Sequence, residues 1–266
     1  MSFVHESELS GTADPLISIV VPVLNMQGTI QRALRSILAQ QYANRQIIVV
    51  DGKSSDDTLE QLEPYAEQIA TLISEPDRGI YDAINKGLNH ASGEIVGILN
   101  ADDYYAHANV FNLYAEKFAN AQTGIVFGDL EYFPASNPHR TIRRYSSRGF
   151  TREKVRFGWM PPHPATFVRR TVYESVGHYS TDFEIAGDFE FLVRALWVHS
   201  TPFDRIASVL VRMQFGGAST RSIAATYQLN REIIRACRQN GLRTGWLTIM
   251  RKIPQKLAEF SALLSR

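Results

Sequence analysis

Short runs of apolar, largely β-branched residues alternate with segments of helical periodicity in the first half of the chain, and this alternation constrains the fold most. The runs are Ile17–Val23, Ile47–Val50 and Ile95–Leu99, and apolar residues recur at helical spacing from Ile30 to Leu38. Strands that read as continuous apolar runs and are separated by helices form a parallel sheet covered on both faces. The pattern therefore predicts an α/β fold.

Polar clusters follow two of these runs directly. Asp51–Asp57 comes after the second run, and Asn100–Asp103 comes after the third. Ligands of open parallel sheets bind beyond the carboxyl ends of the strands. We therefore expect the two clusters to lie at one edge of the sheet and to contribute to a ligand site there.

The adjacent carboxylates Asp102 and Asp103 allow two interpretations. Two charges at the end of a buried strand repel each other unless water or a cation stabilises them, and Mg²⁺ is usually held by one or two carboxylates with phosphate oxygens. The pair is equally typical of a helix N-terminus, with a helix running from Tyr104. The sequence alone leaves both interpretations open.

Asp188 and Glu190 stand at the start of a segment that predicts a helix over Phe189–Trp197. A carboxylate at this position can act as a general base toward a hydroxyl group, or it can simply complement the helix dipole. Residues two apart do not share a helix face, so only one of the two is expected to point into a cleft. His163, between prolines, can face a ligand or hydrogen-bond its own loop.

Composition excludes several classes of protein. The 266 residues carry a net charge of +1, which argues against a dedicated nucleic-acid-binding protein. The single cysteine, Cys237, excludes an internal disulfide and any site with several cysteine ligands. No apolar run is long enough to span a membrane, and neither a secretory leader, a dinucleotide fingerprint nor a P-loop is recognised, so a cytoplasmic location is expected.

Charge is distributed unevenly, and we predict a domain over residues 15–215 followed by a basic helical extension over 216–266. From Arg221 onward nine basic residues accompany Glu232 and Glu259, giving +7, whereas residues 1–220 carry −6. A basic tail with interleaved apolar residues such as Trp246 and Leu247 can lie on an anionic membrane surface. It can equally be a helical pair with a solvated face.

Taken in order, six stretches resemble the family 2 glycosyltransferases with the GT-A fold. The resemblance covers roughly residues 15–220 and rests on Ile19–Asn25, Val50–Thr58, Glu75–Gly87, Leu99–Asp103, His163–Phe167 and Ala186–Asp188. Several motifs in a consistent order are more specific than any one of them. The chain looks most like the single-sugar transferases of bacterial surface-polysaccharide assembly, because the Gln-x-x-Arg-Trp motif of processive synthases is absent.

The resemblance implies a Rossmann-like, mainly parallel sheet flanked by helices, and a role for each matching residue. Asp188 corresponds to the catalytic base, with Glu190 in reserve, and Asp102 and Asp103 correspond to ligands of Mn²⁺ or Mg²⁺. The contacts implied for the nucleotide-sugar donor are at Pro22, Val23, Asn25, Asp51, Asp77, Arg78, Asn100, Ala101 and Asp102.

The implied reaction is metal-dependent transfer of one sugar with inversion at the anomeric carbon. The implied acceptor is a glycan or a polyprenyl-diphosphate-linked hydroxyl compound, met at the inner face of the plasma membrane by a peripherally bound enzyme. Two positions depart from the family pattern. Gly52 follows Asp51 where many relatives have a second acid, and Asn100 stands where many have Asp.

Two other functions remain open at this point. A sugar nucleotidyltransferase also uses acidic residues and Mg²⁺, but its Gly-rich basic loop is absent, since Val21–Gly28 contains no Lys or Arg. A catalytically silent nucleotide-sugar-binding protein would retain the fold without a working base. Dependence of donor cleavage on Asp188 would distinguish an enzyme from such a binding protein.

Overall fold

The computed structural model describes residues 14–216 and 222–250. Within these residues the strands are β1 (Ile17–Val23), β2 (Arg45–Asp51), β3 (Thr71–Ser74), β4 (Ile95–Ile98), β5 (Tyr104–Tyr105), β6 (Ile125–Phe133), β7 (Arg143–Tyr145), β8 (Thr166–Arg169) and β9 (Phe203–Gln214). The helices are α1 (Ile30–Leu38), α2 (Thr58–Leu62), α3 (Ile80–His90), α4 (Val110–Phe118), α5 (Arg170–Val176), α6 (Gly187–Val193), α7 (Ile223–Gln239) and α8 (Trp246–Met250).

The strands of the described residues form one sheet in the order β3-β2-β1-β4-β8-β6-β9-β5, with β7 paired to β6. Strands β3, β2, β1 and β4 are mutually parallel, and β8 runs antiparallel between β4 and β6. Strand β9 is parallel to β6. Consequently β1, β2, β4, β6 and β9 all end at one edge of the sheet, where β8 begins. We call this the carboxyl edge.

The buried residues form two cores, one on each face of the sheet. In β2, Ile48 and Val50 belong to the same cluster as Ile84 of α3. Their neighbour Val49 points to the other face and packs in the cluster that contains Leu34 of α1. Successive strand residues point to opposite faces, so a strand buried on both faces reads as a continuous apolar run. The predicted α/β architecture is confirmed.

The segment after Asp103 does not form the helix that the N-cap interpretation required. Tyr104 and Tyr105 form β5, which pairs antiparallel with β9 through Arg212 and Val211. Helix α4 begins only at Val110. The N-cap interpretation of Asp102 and Asp103 is therefore wrong, because the chain is extended at the position where that helix would have started.

The segment beyond residue 215 is helical where it is described, and it packs into the core of the sheet. Ile233, Ile234 and Cys237 of α7 are buried in the cluster that contains Val20 and Ile48. The domain boundary at residue 215 stays a prediction. Of the nine basic residues in the tail, five lie outside the described residues, namely Arg221, Arg251, Lys252, Lys256 and Arg266.

Across the ranges that the structure describes, we find no helix whose length and apolar character would let it cross a bilayer.

Candidate active site

The loops after β1 and β2 are joined by hydrogen bonds between the side chains of one and the backbone of the other. Asn25 N donates to Ser54 Oγ at 2.8 Å, and Ser55 N donates to Asn25 Oδ1 at 2.9 Å. Met26 N donates to Thr58 Oγ1 at 2.8 Å. Asn25 has a φ of 53°, a left-handed conformation that Asn tolerates better than most residues. We call residues 24–29 and 52–58 the paired loops, and they form a fixed wall at the carboxyl edge.

Asp51 ends β2 inside this wall, and its side chain is fully buried. The carboxylate accepts a hydrogen bond from Ser74 Oγ at 2.7 Å and bonds from Ser54 N at 3.2 Å. Pro22 and Val23 end β1 beside it and are buried too. These residues line the wall from within, and Asn25 is the exposed member of the predicted donor set in these loops.

Asp77 and Arg78 lie in the loop between β3 and α3. Lys86 Nζ contacts Asp77 Oδ1 at 2.6 Å, and the Arg78 side chain is 80% exposed while paired with Asp82 at 3.2 Å. A Cβ added at Gly52 would lie 2.7 Å from Asp77 Oδ2. Gly52 therefore gives Asp77 room beside the end of β2, which accounts physically for the departure from a second acid there.

The loop Asn100–Asp103 follows β4 and places its two carboxylates differently. Asp103 is fully buried, with Gln214 N donating to Oδ1 at 3.3 Å and Asn100 Nδ2 donating to Oδ2 at 3.2 Å. Burial, followed by the charge of Asp102, raises the pKa of Asp103 well above its ordinary value. Asp102 is half-buried, and its backbone carbonyl accepts a bond from Arg32 at 2.8 Å. Ala101 is buried between the two ends of the loop.

The donors of this loop are consistent with a divalent cation at Asp102, whereas Asp103, which the resemblance also implies as a ligand, is bonded inside the protein. The Asp103 oxygens are bonded inside the protein, so Asp102 is the carboxylate that borders the carboxyl edge. Among the residues that the structure describes, no group of three or more His, Cys, Asp or Glu could hold a metal ion. A hard cation held by one carboxylate and completed by diphosphate oxygens is consistent with these donors.

Asp188 lies in the first turn of α6, where Tyr81 of α3 holds it. The Tyr81 hydroxyl donates to the Ile185 carbonyl at 2.7 Å and lies 3.3 Å from Asp188 Oδ1. Phe189 N donates to the same Asp188 oxygen at 2.7 Å. A Cβ at Gly187 would approach the Tyr81 ring to 2.7 Å, so glycine at this position lets the ring lie against the turn.

The electrostatic surroundings of Asp188 suit a proton acceptor. Burial raises the pKa of Asp188, and the nearby His163 acts in the opposite direction. Burial lowers the pKa of His163, whose Nε2 lies 2.9 Å from the Tyr179 hydroxyl. The Tyr179 ring in turn stacks with that of Tyr81 at 6.0 Å between centroids. A carboxylate with a raised pKa is a stronger base than an exposed one and can accept a proton from a hydroxyl group.

Glu190 does not join this site. Arg194 binds its carboxylate through Nε at 2.7 Å and Nη2 at 2.9 Å, and the Glu190 side chain is 8% exposed. Arg194 also donates to the backbone carbonyls of Val176 and His178. The prediction of Glu190 as a reserve base is corrected by this geometry, because its carboxylate links α6 to the end of α5.

The sheet topology brings the loop Asn100–Asp103 and the turn of Asp188 to the same carboxyl edge, one from a strand that ends there and the other beside a strand that begins there. Strand β4 leads into Asn100–Asp103, and β8, which is antiparallel to β4, begins at Thr166 directly after the short 3₁₀ turn His163–Ala165. His163 interacts electrostatically with Asp188, so the base lies near the start of β8. The paired loops reach the same edge from β1 and β2.

Sequence reasoning missed Tyr81 as a site residue. The periodicity puts Ile80, Ile84 and Leu88 on one side of α3 and leaves Tyr81 off that side, yet Ile80 is 43% exposed while Tyr81 is 6% exposed. The available signal was the position of Tyr81 inside the motif Glu75–Gly87. Its partner lies 107 residues further along the chain, so its function could not be deduced from local sequence.

Comparison with known proteins gives a consistent result. The family model described as Glycosyl transferase family 2 matches residues 18–178. An uncharacterized glycosyltransferase of Mycobacterium tuberculosis is 32% identical over 192 residues, which cover 70% of this chain and 71% of that protein. A PGL/p-HBAD biosynthesis glycosyltransferase of Mycobacterium bovis is 27% identical over 215 residues, covering 78% of this chain and 80% of that protein.

Solved structures share the fold at low identity. TarS 1-349 of S. aureus in complex with UDP-GlcNAc has a TM-score of 0.66 at 17% identity, covering 92% of this chain and 71% of that one. The mannosyltransferase PcManGT of Pyrobaculum calidifontis, in complex with GDP-Man and Mn²⁺, has a TM-score of 0.61 at 19% identity, covering 96% and 82%. The chain spans 43% of a longer TarS structure. At these identities the likeness establishes the fold.

Proposed function

The chain belongs to the family 2 glycosyltransferases and has their GT-A fold, and we propose that it moves one sugar from a nucleotide-diphosphate sugar to a hydroxyl group with inversion. The acceptor is a glycan or a lipid-linked saccharide of cell-surface polysaccharide assembly. The observation that carries the proposal is Asp188, a half-buried carboxylate with a raised pKa near the start of β8, at the edge where the paired loops and Asp102 also lie.

The nucleoside of the donor binds against the paired loops. Their hydrogen-bonded geometry supports this assignment, because a wall that is already ordered loses little entropy on binding. The exposed guanidinium of Arg78 is suited to an anionic phosphate group. The donor contacts that we propose are at Pro22, Val23, Asn25, Asp51, Asp77, Arg78, Asn100, Ala101 and Asp102.

Asp102 would hold Mn²⁺ or Mg²⁺, with the donor diphosphate completing the coordination. The bound cation would offset the negative charge that grows on the leaving nucleoside diphosphate. Asp103 supports this loop from inside, where it fixes the end of β9 through Gln214 N. Asp102 is partly exposed whereas Asp103 is fully buried, and this difference favours Asp102 as the cation ligand.

Asp188 would act as general base in a single displacement. The acceptor oxygen forms a bond to the anomeric carbon as its proton passes to Asp188, and the bond from that carbon to the diphosphate oxygen breaks. The electron pair of the broken bond leaves with the nucleoside diphosphate. Attack from the face opposite the leaving group inverts the configuration.

The test compares the wild type with Asp188→Asn. Thermal-shift measurements with UDP-GlcNAc, UDP-glucose, GDP-mannose and a dTDP-sugar, with and without Mn²⁺, first identify a donor that stabilises the folded chain. Release of nucleoside diphosphate from that donor is then measured. We expect Asp188→Asn to reduce the release at least about 1,000-fold while leaving the thermal shift unchanged. Release that persists in Asp188→Asn would contradict the assigned base, and donor binding without any release by the wild type would indicate a binding protein.

An anionic membrane is the proposed setting of the reaction. The rings of Tyr227 and Trp246 stack at 5.2 Å, and the exposed fractions are 58% for Tyr227, 42% for Trp246, 85% for Leu247 and 54% for Met250. Arg231 and Arg243 belong to the same two-helix region. Exposed aromatic and apolar side chains accompanied by arginines are typical of surfaces that bind anionic lipid headgroups.

Vesicle binding tests this setting with point variants, because α7 is part of the core and a truncated chain would lose buried residues. We expect the double variant Trp246→Ala/Leu247→Ala to co-sediment several-fold less with vesicles containing phosphatidylglycerol. The control is Leu72→Ala, which removes a 49% exposed apolar side chain from β3. Equal sedimentation of both variants and the wild type would refute the membrane assignment.

A further inference from the structure

Helix α7 holds the loop that leads into the turn of Asp188. We call residues 182–186 the base loop, because α6 and its Asp188 follow it directly. The sequence offers no reason for an acid in the basic tail at position 232, yet Glu232 of α7 is 7% exposed and faces this loop. The function proposed above assigns no role to Glu232.

The Glu232 carboxylate accepts hydrogen bonds from three consecutive backbone N–H groups of the base loop. Oε1 accepts from Glu184 N at 3.2 Å, and Oε2 accepts from Ile185 N at 2.9 Å and from Ala186 N at 2.8 Å. Bonds from N–H groups to a charged acceptor are stronger than bonds between neutral groups. Loss of this carboxylate would leave three donors without their partner, which is most costly at Ala186 N because that hydrogen bond is buried while the other two are partly buried.

Two further side chains of α7 bind the same loop. Arg235 donates to the Asp182 carbonyl at 2.7 Å, and its guanidinium carbon lies 3.9 Å from the centre of the Phe183 ring. Gln228 donates to the Glu184 side chain at 2.6 Å in a solvent-exposed contact. The helix therefore holds the base loop along its whole length, and Glu232 is the contact nearest to Asp188.

The base loop connects Glu232 to Asp188 through two short paths. The Ile185 carbonyl accepts from the same Tyr81 hydroxyl that lies 3.3 Å from Asp188 Oδ1. The Ala186 carbonyl accepts from Glu190 N at 2.9 Å, the first hydrogen bond of α6. Fixing the N–H groups of Ile185 and Ala186 therefore fixes both the hydroxyl partner of Asp188 and the turn that carries it.

We propose that Glu232 is a positioning residue for the base Asp188. It acts on the reaction through the backbone of Ile185 and Ala186, and it touches neither donor nor acceptor. The inference rests on the proposed glycosyl transfer and adds that the C-terminal helix is part of the catalytic apparatus. A displacement of a catalytic group by about 1 Å can lower a rate on the order of 100-fold.

The experiment measures nucleoside-diphosphate release in Glu232→Ala and Glu232→Gln, with Gln239→Ala, which truncates an exposed side chain at the end of the same helix, as the matched control. The probe is the nucleotide sugar from the panel above that gives the largest thermal shift with Mn²⁺. We expect kcat to fall about 10- to 100-fold in Glu232→Ala and about 3- to 10-fold in Glu232→Gln, which keeps one acceptor oxygen. The donor KM stays at the wild-type value in both, and Gln239→Ala keeps the wild-type kcat.

A merely structural role would lower the folded fraction and leave kcat per donor-binding site unchanged. Donor titration therefore counts the binding-competent sites, and kcat is expressed per such site. If Glu232→Ala does not fold, the kcat of the isosteric variant Glu232→Gln tests the inference. Wild-type kcat in Glu232→Gln overturns the inference, as does rapid hydrogen exchange of the Ile185 and Ala186 amides in the wild type. Retained release in Asp188→Asn would overturn the proposed function instead, so the two failures are distinguishable.

Discussion

The two walls of the proposed site are built differently; we call the paired loops the donor wall and the surroundings of Asp188 the base wall. On the donor wall, the paired loops hold each other through partners about 30 residues apart, such as Asn25 with Ser54 and Ser55. On the base wall, Asp188 is held by Tyr81, 107 residues away, and its loop is held by Glu232, 46 residues from Ala186. The donor wall thus depends on neighbouring segments of one parallel sheet, and the base wall depends on elements from distant parts of the chain.

Because of this difference, we expect each wall to control a different kinetic constant. A substitution in the donor wall removes contacts that substrate and transition state share, so it should change KM. A substitution behind the base moves a group that acts as the bond forms, so it should change kcat.

Asp102→Ala should weaken Mn²⁺-dependent donor binding on the order of 100-fold, because one carboxylate supplies the protein side of the cation site. Calorimetric titration with the stabilising donor, in Mn²⁺ and in EDTA, measures the change. Asp103→Asn is the control, since asparagine keeps an acceptor for Gln214 N and removes a buried charge. A greater loss in Asp103→Asn than in Asp102→Ala would assign the cation to the buried carboxylate.

Tyr81→Phe should lower kcat about 10-fold and leave the donor KM unchanged. The ring is retained, while the hydroxyl that contacts Asp188 and the Ile185 carbonyl is lost. Burial raises the pKa of Asp188 and the Tyr81 bond lowers it, so removal of the hydroxyl raises this pKa further. Because the base must be deprotonated, the acidic limb of the kcat profile should move to higher pH. An unchanged profile with raised KM would place Tyr81 on the donor side.

Asn25→Ala should raise the donor KM about 3- to 5-fold with kcat unchanged, since it removes the acceptor of Ser55 N and strains a residue with a φ of 53°. Asn25→Gly separates the two causes, because glycine tolerates this backbone conformation but lacks the side chain. Steady-state kinetics at varied donor concentration gives both constants. A fall in kcat at constant KM would break the division between the walls.

Asp188→Asn should raise the melting temperature at pH 7.5 by about 2 to 4 °C. Burial raises the folded-state pKa of Asp188, so its contribution to stability is complete below the unfolded pKa and is lost as pH rises through the folded pKa. Asparagine removes the buried charge at neutral pH.

Asp129→Asn is the control of opposite sign. Burial alone would raise the pKa of Asp129, but hydrogen bonds from Ser147, Arg205 and Arg144 hold it below its ordinary value. This carboxylate therefore stabilises the fold above its unfolded pKa and loses that contribution as pH falls. Scanning calorimetry should show a lower melting temperature for Asp129→Asn at pH 7.5. A shift of the same sign in both variants would contradict the electrostatic assignment.

The parallel half of the fold was readable from the sequence because its strands are apolar on both faces. The predicted runs Ile17–Val23 and Ile95–Leu99 match β1 and, to within one residue, β4 in the structure. Strand β6 extends from Ile125 to Phe133, although its sequence is continuously apolar only over Ile125–Phe127. Asp129 interrupts its apolar pattern, and this charge is stabilised by Arg144 and Arg205 from other segments.

The sequence motifs predicted which residues belong to the candidate site, but not how these residues are buried or which groups they contact. The resemblance singled out Asp188, but it also implied both Asp102 and Asp103 as metal ligands, although Asp103 is fully buried and Asp102 is partly exposed. Glu232 had no signal at all, because its partners are backbone N–H groups that any sequence possesses. Contacts of this kind become visible only when the tertiary structure brings the segments together.

The burial of Cys237 in α7 gives the wild-type chain a native reporter of its own motion. It is the single thiol of the sequence, and its side chain is fully buried beneath the helix that carries Glu232. A thiol reagent can modify it only during moments when α7 lifts from the sheet, so the labelling rate measures how often that opening occurs. If bound donor slows the labelling of Cys237, donor binding at the paired loops reduces how often α7 opens, and this is measured without any engineered probe.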